Sequence, residues 1–165
     1  MRPKKGVVKI IRADIPYFGK LNLEIAVFDF NGTLALDGQL PEQVKSRLQR
    51  LAADLEIHIL TSDTFGCVCE QCRGLPVQVK VLESSNHTEE KALYLEQFGS
   101  RQAVAVGNGA NDQLMLKQAA LGIAVIGPEG GSSAAMQCSD LVVTDINAAF
   151  DLLLNPKRIV AGLRR

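Results

Sequence analysis

The sequence predicts an α/β fold: a doubly wound, Rossmann-like, mainly parallel sheet with helices on both faces, an N-terminal β-hairpin and no cap domain. Three observations carry that prediction. Short apolar runs alternate with stretches of helical periodicity along most of the chain. The run Ile25-Ala-Val-Phe-Asp29 is apolar on both of its faces, as a strand in a covered parallel sheet must be. Gly or Pro stands at several of the junctions, where a helix or strand has to stop.

The elements follow in order. Residues 7–11 and 21–25 read as strands, and Asp14, Pro16 and Gly19 between them suggest a hairpin that extends its own sheet. Ile25 to Asp29 is the first buried strand. Pro41 opens a helix carrying Val44, Leu48, Leu51 and Leu55 at helical spacing. Residues 57–60 form the next strand, 64–72 a short helix ended near Gly74 and Pro76, and 77–82 a third strand. His87 to Phe98 reads as a helix closed by Gly99. Residues 102–106 are a strand, 111–120 a helix, 122–126 and 141–143 strands, and two short helices finish the chain. No repeat, low-complexity tract or linker interrupts the series. The 165 residues, 47% of them hydrophobic, are expected to form one domain (1–165), with 1–24 as a hairpin extension.

Lys plus Arg and Asp plus Glu number 18 each, so the net charge is zero and nothing favours nucleic acid as a partner. The basic ends (Arg2, Lys4, Lys5 and Lys157, Arg158, Arg164, Arg165) read as solvated termini. No stretch is apolar enough for a membrane span, and Lys9 and Arg12 interrupt what would be a signal peptide's apolar core. The expected location is cytoplasmic. The crowding of Cys67, Cys69 and Cys72 does not resemble a secreted disulfide framework.

Doubly wound sheets bind ligands beyond the carboxyl ends of their strands. That rule selects Asp29-Phe-Asn-Gly-Thr33, Thr61-Ser62-Asp63 and Gly107-Asn-Gly-Ala-Asn-Asp112. Their chemistry is coherent. A carboxylate at Asp29 can attack phosphorus and form an acyl phosphate. Gly32 permits a tight turn whose N–H groups face phosphate oxygens. Thr61 or Ser62 offers a hydroxyl, Asp112 helps hold a cation, and Lys91 neutralises phosphate charge.

These segments resemble the four motifs of haloacid dehalogenase-like phosphatases. Asp29-Phe-Asn-Gly-Thr33 matches the first, Thr61 or Ser62 the second, Lys91 the third and Gly107-Asn-Gly-Ala-Asn-Asp112 the fourth. The stretch from Lys91 to Ala124, with Leu114-Met-Leu and Leu121-Gly-Ile-Ala, looks especially like the phosphorylation domain of P-type ATPases and their soluble relatives. The resemblance implies a Mg2+-dependent phosphohydrolase or phosphotransferase working through phospho-Asp29. It implies that Asp29, the Asn31 backbone carbonyl, Asn108 and Asp112 serve the metal. It also implies that Asn31, Gly32, Thr61, Ser62, Lys91 and Asn111 serve the phosphoryl group.

Two residues depart from the family pattern. Asn31 stands where phosphatases of the family carry an acid–base Asp, which predicts slow breakdown of the phosphoenzyme. Asn108 stands where a metal-ligating Asp is usual, which predicts weaker magnesium binding. No segment leaves room for a cap, so the site is open. It suits a phosphorylated small molecule, a phosphoprotein, or closure by a second subunit of a homo-oligomer. Two other readings compete: a catalytically impaired phosphate-binding or regulatory protein, and a cysteine-based metal or redox module built on Cys67, Cys69 and Cys72. Cys138 reads as core; His58 and His87 have no evident catalytic partner.

Overall fold

The protein, seen in a computed structural model, is described over residues 9–63 and 66–165. Strands β1 (Ile11–Ile15) and β2 (Gly19–Leu23) pair antiparallel, with Ile15 opposite Gly19. The first strand therefore lies later, and the second earlier, than the hydrophobic pattern suggested, and residues 7 and 8 fall outside the described part. A three-residue turn, Pro16 to Phe18, leads into Gly19 (φ +125°), so β1 ends and β2 begins at that turn. Ile25 belongs instead to the next strand. Nor does the hairpin extend the large sheet: it is a separate two-stranded sheet. Its inner face (Ile11, Ala13, Ile15, Leu21, Leu23) joins the same apolar cluster as Ile159 of the last helix. Burying a face outweighs pairing an edge here.

The large sheet has six parallel strands: β3 (Ile25–Asp29), β4 (Glu56–Thr61), β5 (Gln78–Val81), β6 (Ala103–Gly107), β7 (Leu121–Val125) and β8 (Leu141–Val143). Their spatial order is β5-β4-β3-β6-β7-β8. The chain winds outward from β3 in one direction and then from β6 in the other. The point where the winding reverses is therefore the β3/β6 junction, where such folds place ligands.

Helices α1 (Glu42–Leu51), α2 (Val68–Gln71), α3 (His87–Phe98), α4 (Gln113–Gln118), α5 (Ser133–Gln137), α6 (Ile146–Leu154) and α7 (Pro156–Leu163) cover the sheet. Helix α1 starts after Pro41 and stops before Leu55, which is buried just beyond it. The helix expected over 64–72 is reduced to α2, and Thr64 and Phe65 lie outside the described residues. The expected helix 111–120 begins as a 3-10 turn, Ala110–Asp112, that leads into α4. Helix α5 had no counterpart in the sequence reading: five residues are too few to show a period.

Two apolar clusters flank the sheet. One holds Ala26, Phe28, Val104, Val106, Ile123 and Val125 with Leu48, Leu51, Phe150 and Leu153 of α1 and α6. The other holds Ile25, Val27, Ala103, Ala105 and Ala124 with Leu95, Met115, Leu116 and Ala135 of α3, α4 and α5. Alternation along β3 therefore turns residue 29 towards the α3 side.

Candidate active site

Asp29 is the last residue of β3, and its side chain enters the crevice at the winding reversal. Lys91, in the second turn of α3, is 1% exposed and reaches between two carboxylates. Its Nζ donates to Asp29 Oδ1 at 2.5 Å and to Asp112 Oδ1 at 2.7 Å. The helix is placed for this at both ends. Asn86 caps its start by accepting the N–H of Glu89, and Gly99 (φ +101°) ends it. One turn on from Lys91, the Tyr94 hydroxyl meets Nδ1 of the fully buried His58 on β4 at 2.8 Å, and the Phe98 ring packs tilted against the same imidazole, 4.4 Å between centroids. Glu56 accepts from His58 Nε2 at 3.0 Å, which leaves Nδ1 of the neutral ring to accept from Tyr94. Burial holds the His58 pKa below its usual value, against the raising influence of Glu56.

One buried cation faces two buried carboxylates, and the titration reflects that imbalance. Asp29 is pushed up to about 7 by burial first and by Asp112 second, against the lowering pull of Lys91 and Thr33. Burial alone favours neutral Lys91, but the attraction and hydrogen bonds of both carboxylates outweigh it, so its pKa rises. Lys91 stays charged, and the crowding of negative charge falls on Asp29.

The loop after β3 is tied to the loop after β6. The Thr33 hydroxyl lies 3.1 Å from Asp29 Oδ2 and 3.1 Å from Asn108 Oδ1. Asn108 Nδ2 donates to the Gly130 carbonyl at 3.1 Å, and the Asn108 carbonyl accepts the Ser132 N–H at 2.7 Å. Asp112 Oδ2 accepts the Gly109 N–H at 2.9 Å. Gly32 (φ +78°) sits where these loops meet: a Cβ there would lie 2.5 Å from Asn108 Nδ2 and 3.0 Å from Glu129 Oε2. Its N–H bonds the Ala35 carbonyl at 2.9 Å, so Gly32 acts through its shape and not as a free phosphate donor. Residues 34–40 then fold back as a small hairpin, turning at Asp37 and Gly38, both at positive φ. It is held on one side by Gln71 Oε1, which accepts the Leu40 N–H, and by the Cys67 thiol, which donates to the Gly38 carbonyl. Glu129 holds the other side by accepting the Asp37 N–H at 2.8 Å.

The sequence-derived residues are gathered at one end of the sheet. Thr61 is buried at the end of β4, and its Oγ1 accepts the Asp63 N–H, which keeps the hydroxyl proton available for an incoming oxygen. Ser62 is exposed beside it, and Asn111 lies in the 3-10 turn that leads to Asp112. Two residues of the site were not singled out from sequence. Thr33 stood inside the quoted first motif, four residues beyond Asp29. Glu129, in the loop after β7, had no local signal, because only the chain's return across the sheet brings it to Gly32.

The donor set suits magnesium, which binds through one or two carboxylates and fills its shell with water and substrate oxygens. Asp29 and Asp112 supply two carboxylates, and Asn31 Oδ1 is a buried oxygen with no hydrogen-bond partner. Among the described residues, no group of three or more His, Cys, Asp or Glu side chains is placed to hold a metal ion. That finding counts against a metal site at Cys67, Cys69 and Cys72. Cys72 is buried, with its thiol pushed up to about 11, chiefly by burial. Cys138 packs partly buried against the α3-side core.

No family model matches the chain. The chain is 54% identical over 65 residues to the uncharacterized protein MJ0073 of Methanocaldococcus jannaschii, a match covering 39% of this chain and 70% of that one. It is 29% identical over 162 residues to the copper-exporting P-type ATPase of Staphylococcus aureus, covering 93% of this chain but only 19% of the ATPase. Among solved structures it resembles 3-deoxy-D-manno-octulosonate 8-phosphate phosphatase from Moraxella catarrhalis, in complex with magnesium, phosphate and KDO. The TM-score is 0.63 at 17% identity, over 84% of this chain and 90% of that one. No helix among the described residues is long and apolar enough to cross a membrane. The chain belongs to the family of MJ0073, and its fold is that of solved hydrolases of the haloacid dehalogenase-like superfamily.

Proposed function

We propose that this protein is a magnesium-dependent phosphohydrolase or phosphotransferase that works through a phosphoryl-aspartate at Asp29. The observation that carries the reading is Lys91, buried and shared between Asp29 and Asp112 at the point where the sheet's winding reverses. A buried ion cluster of this kind is a poor device for stability alone. It is a good device for receiving a doubly charged phosphoryl group. The resemblance to a phosphatase solved with magnesium and phosphate supports the same reading.

The chemistry follows from the residues. An oxygen of Asp29 attacks phosphorus, a P–O bond to Asp29 forms, and the bond to the leaving oxygen breaks. Lys91 neutralises charge on the transferring group and holds Asp29 in line, while the Thr61 hydroxyl donates to a phosphoryl oxygen. Thr33 fixes the second oxygen of Asp29. Asp29, the Asn31 carbonyl, Asn108 and Asp112 would hold magnesium, which would supply charge neutralisation between nucleophile and phosphate. Asn31 can neither give nor take the proton that a fast phosphatase moves, so the aspartyl phosphate is expected to be long-lived or handed to an acceptor. Substrates are phosphorylated small molecules or phosphoproteins.

A second reading, a phosphate-binding regulator with an impaired site, is favoured by the two amides at 31 and 108. A screen of phosphoesters with magnesium, read by phosphate release and by intact mass, separates the two. Asp29→Asn should retain the fold and abolish both turnover and the phosphoryl adduct. Turnover by Asp29→Asn equal to that of the wild type removes Asp29 from the mechanism. Phosphate binding with no adduct under any condition favours the regulator.

A further inference from the structure

A cavity of about 270 Å³ lies between the Gly32–Thr33 turn and the starts of α1 and α6, apart from the cluster of Asp29, Lys91 and Asp112. That volume is close to the lower end of the range for small-molecule sites, about 300–1,000 Å³. We propose that this cavity binds a small organic ammonium ion, a primary amine on a compact apolar body, and the inference stands independently of the phospho-Asp29 reading. The walls set the apolar part of that ligand. Leu34, Val44 and Val125 belong to the buried cluster of the α1 face, and Ile146 packs against the same cluster from the start of α6. Leu36, from the hairpin that follows β3, adds an apolar side chain that is 42% exposed. An aliphatic or aromatic body bound there would take that surface out of water.

Charge sets the rest. The ionisable side chains of the lining are Glu129 and Asp145, and no Lys, Arg or His is among them. Neither carboxylate is within ion-pair distance of a cation among the described residues. Each uses one oxygen within the protein: Glu129 Oε1 accepts the Asp37 N–H, and Asp145 Oδ1 accepts the Ala148 N–H at 3.0 Å as the cap of α6. One oxygen of each is left for a charge-assisted hydrogen bond from an ammonium group. Asn147 adds to the same lining a buried side-chain oxygen with no hydrogen-bond partner, a further acceptor. An anionic ligand would meet two carboxylates with no compensating base, and a neutral one would gain nothing from their charge.

The probes are benzylammonium, benzyl alcohol and benzoate, which share one ring and differ in charge. They are titrated into the full chain at neutral pH and read by amide NMR shifts. Benzylammonium should saturate shifts at Gly32, Leu36, Gly127 and Ile146, and should bind about tenfold tighter than benzyl alcohol, as a charge-assisted hydrogen bond predicts. Benzoate should leave these amides unmoved. Glu129→Gln and Asp145→Asn keep the bonds to Asp37 and Ala148, because an amide oxygen also accepts and Asn caps helices as well as Asp does. The double variant should therefore keep the fold, still take up benzyl alcohol, and bind the amine no better than the alcohol. Added salt should narrow the amine's advantage in the wild type. Equal binding of the three probes, no saturable binding of any, or an amine preference that survives in the double variant overturns the inference. So do shifts that spread over acidic residues remote from the cavity, which mark general attraction of a cation to surface charge. None of the probes is a phosphate ester, so each of these outcomes leaves the phospho-Asp29 reading standing.

Discussion

The two faces of the sheet are built from different residues. Towards α1 and α6, β6 presents Val104 and Val106, β7 presents Ile123 and Val125, and β3 presents Phe28, whose ring lies 5.5 Å from that of Phe150. Towards α3 and α4, β3 presents Ile25 and Val27, but β6 presents only Ala103 and Ala105 and β7 only Gly122 and Ala124, with Gly122 close against the backbone carbonyl of Leu116. Large side chains hold helices away and bury more apolar area per residue. Small ones let helices come close. The α1 face is therefore the one that stabilises, and the α3 face is the one that lets Lys91 and Asp112 reach Asp29. Stability and site geometry are separable because alternation along each strand assigns them to opposite sides.

Substitutions test that separation. The largest effect is expected from Lys91→Met, which leaves Asp29 and Asp112 facing each other in the interior without their cation. Removing one partner of a buried ion cluster costs about 3–5 kcal/mol, read as a lower urea midpoint, and adding Asp29→Asn should recover part of it. No loss in Lys91→Met would mean that the cluster is solvated in solution. Next comes Leu48→Ala on the α1 face, expected to cost about 2–5 kcal/mol through the cavity it leaves. Phosphoenzyme yield per folded molecule should stay unchanged. Gly122→Ala on the α3 face should cost less stability, about 1–3 kcal/mol from overpacking. It should nevertheless lower phosphoenzyme yield, because α4 follows directly on Asp112. If Leu48→Ala damaged the chemistry as much as Gly122→Ala, the division between faces would be wrong.

The smallest effect concerns pH. His58 has a lowered pKa in the folded protein, so the unfolded chain binds its proton first as pH falls. Its contribution is fully present above the unfolded value, near 6.5, and is lost as pH drops below it towards the depressed folded value. His58→Gln should flatten that part of the stability–pH curve measured by chemical denaturation. An unchanged slope would show that His58 takes up its proton in the folded state without penalty.

Much of this architecture is written locally. The five consecutive buried residues of β3, the helical spacing of Val44, Leu48 and Leu51, and the Asn86 and Gly99 ends of α3 are all signals carried by neighbours in sequence. The site's core was legible for the same reason, since Asp29, Thr61 and Gly107 each end a strand. The rest depends on contacts between distant segments. The hairpin's register is set by the Pro16-to-Gly19 turn, and its docking on α7 joins the first and last elements of the described chain. The partners of Asn108 lie at positions 33, 130 and 132, and those of Glu129 at 32 and 37. No period or motif connects such positions.

The placement of Asp29 has a consequence for how this gene can tolerate insertions and deletions. Side chains in a strand change sides at every residue, so deleting one residue between Ile25 and Phe28 would turn the carboxylate towards Phe150 and Leu153. The proposed nucleophile would then be lost with no substitution at all. The stretch from Leu34 to Leu40, by contrast, follows the strand as a hairpin, so changes of length at its exposed tip around Asp37 and Gly38 should leave the phase of β3 untouched. Along this part of the chain, reading frame within the strand is the tightly held quantity, and loop length is the free one.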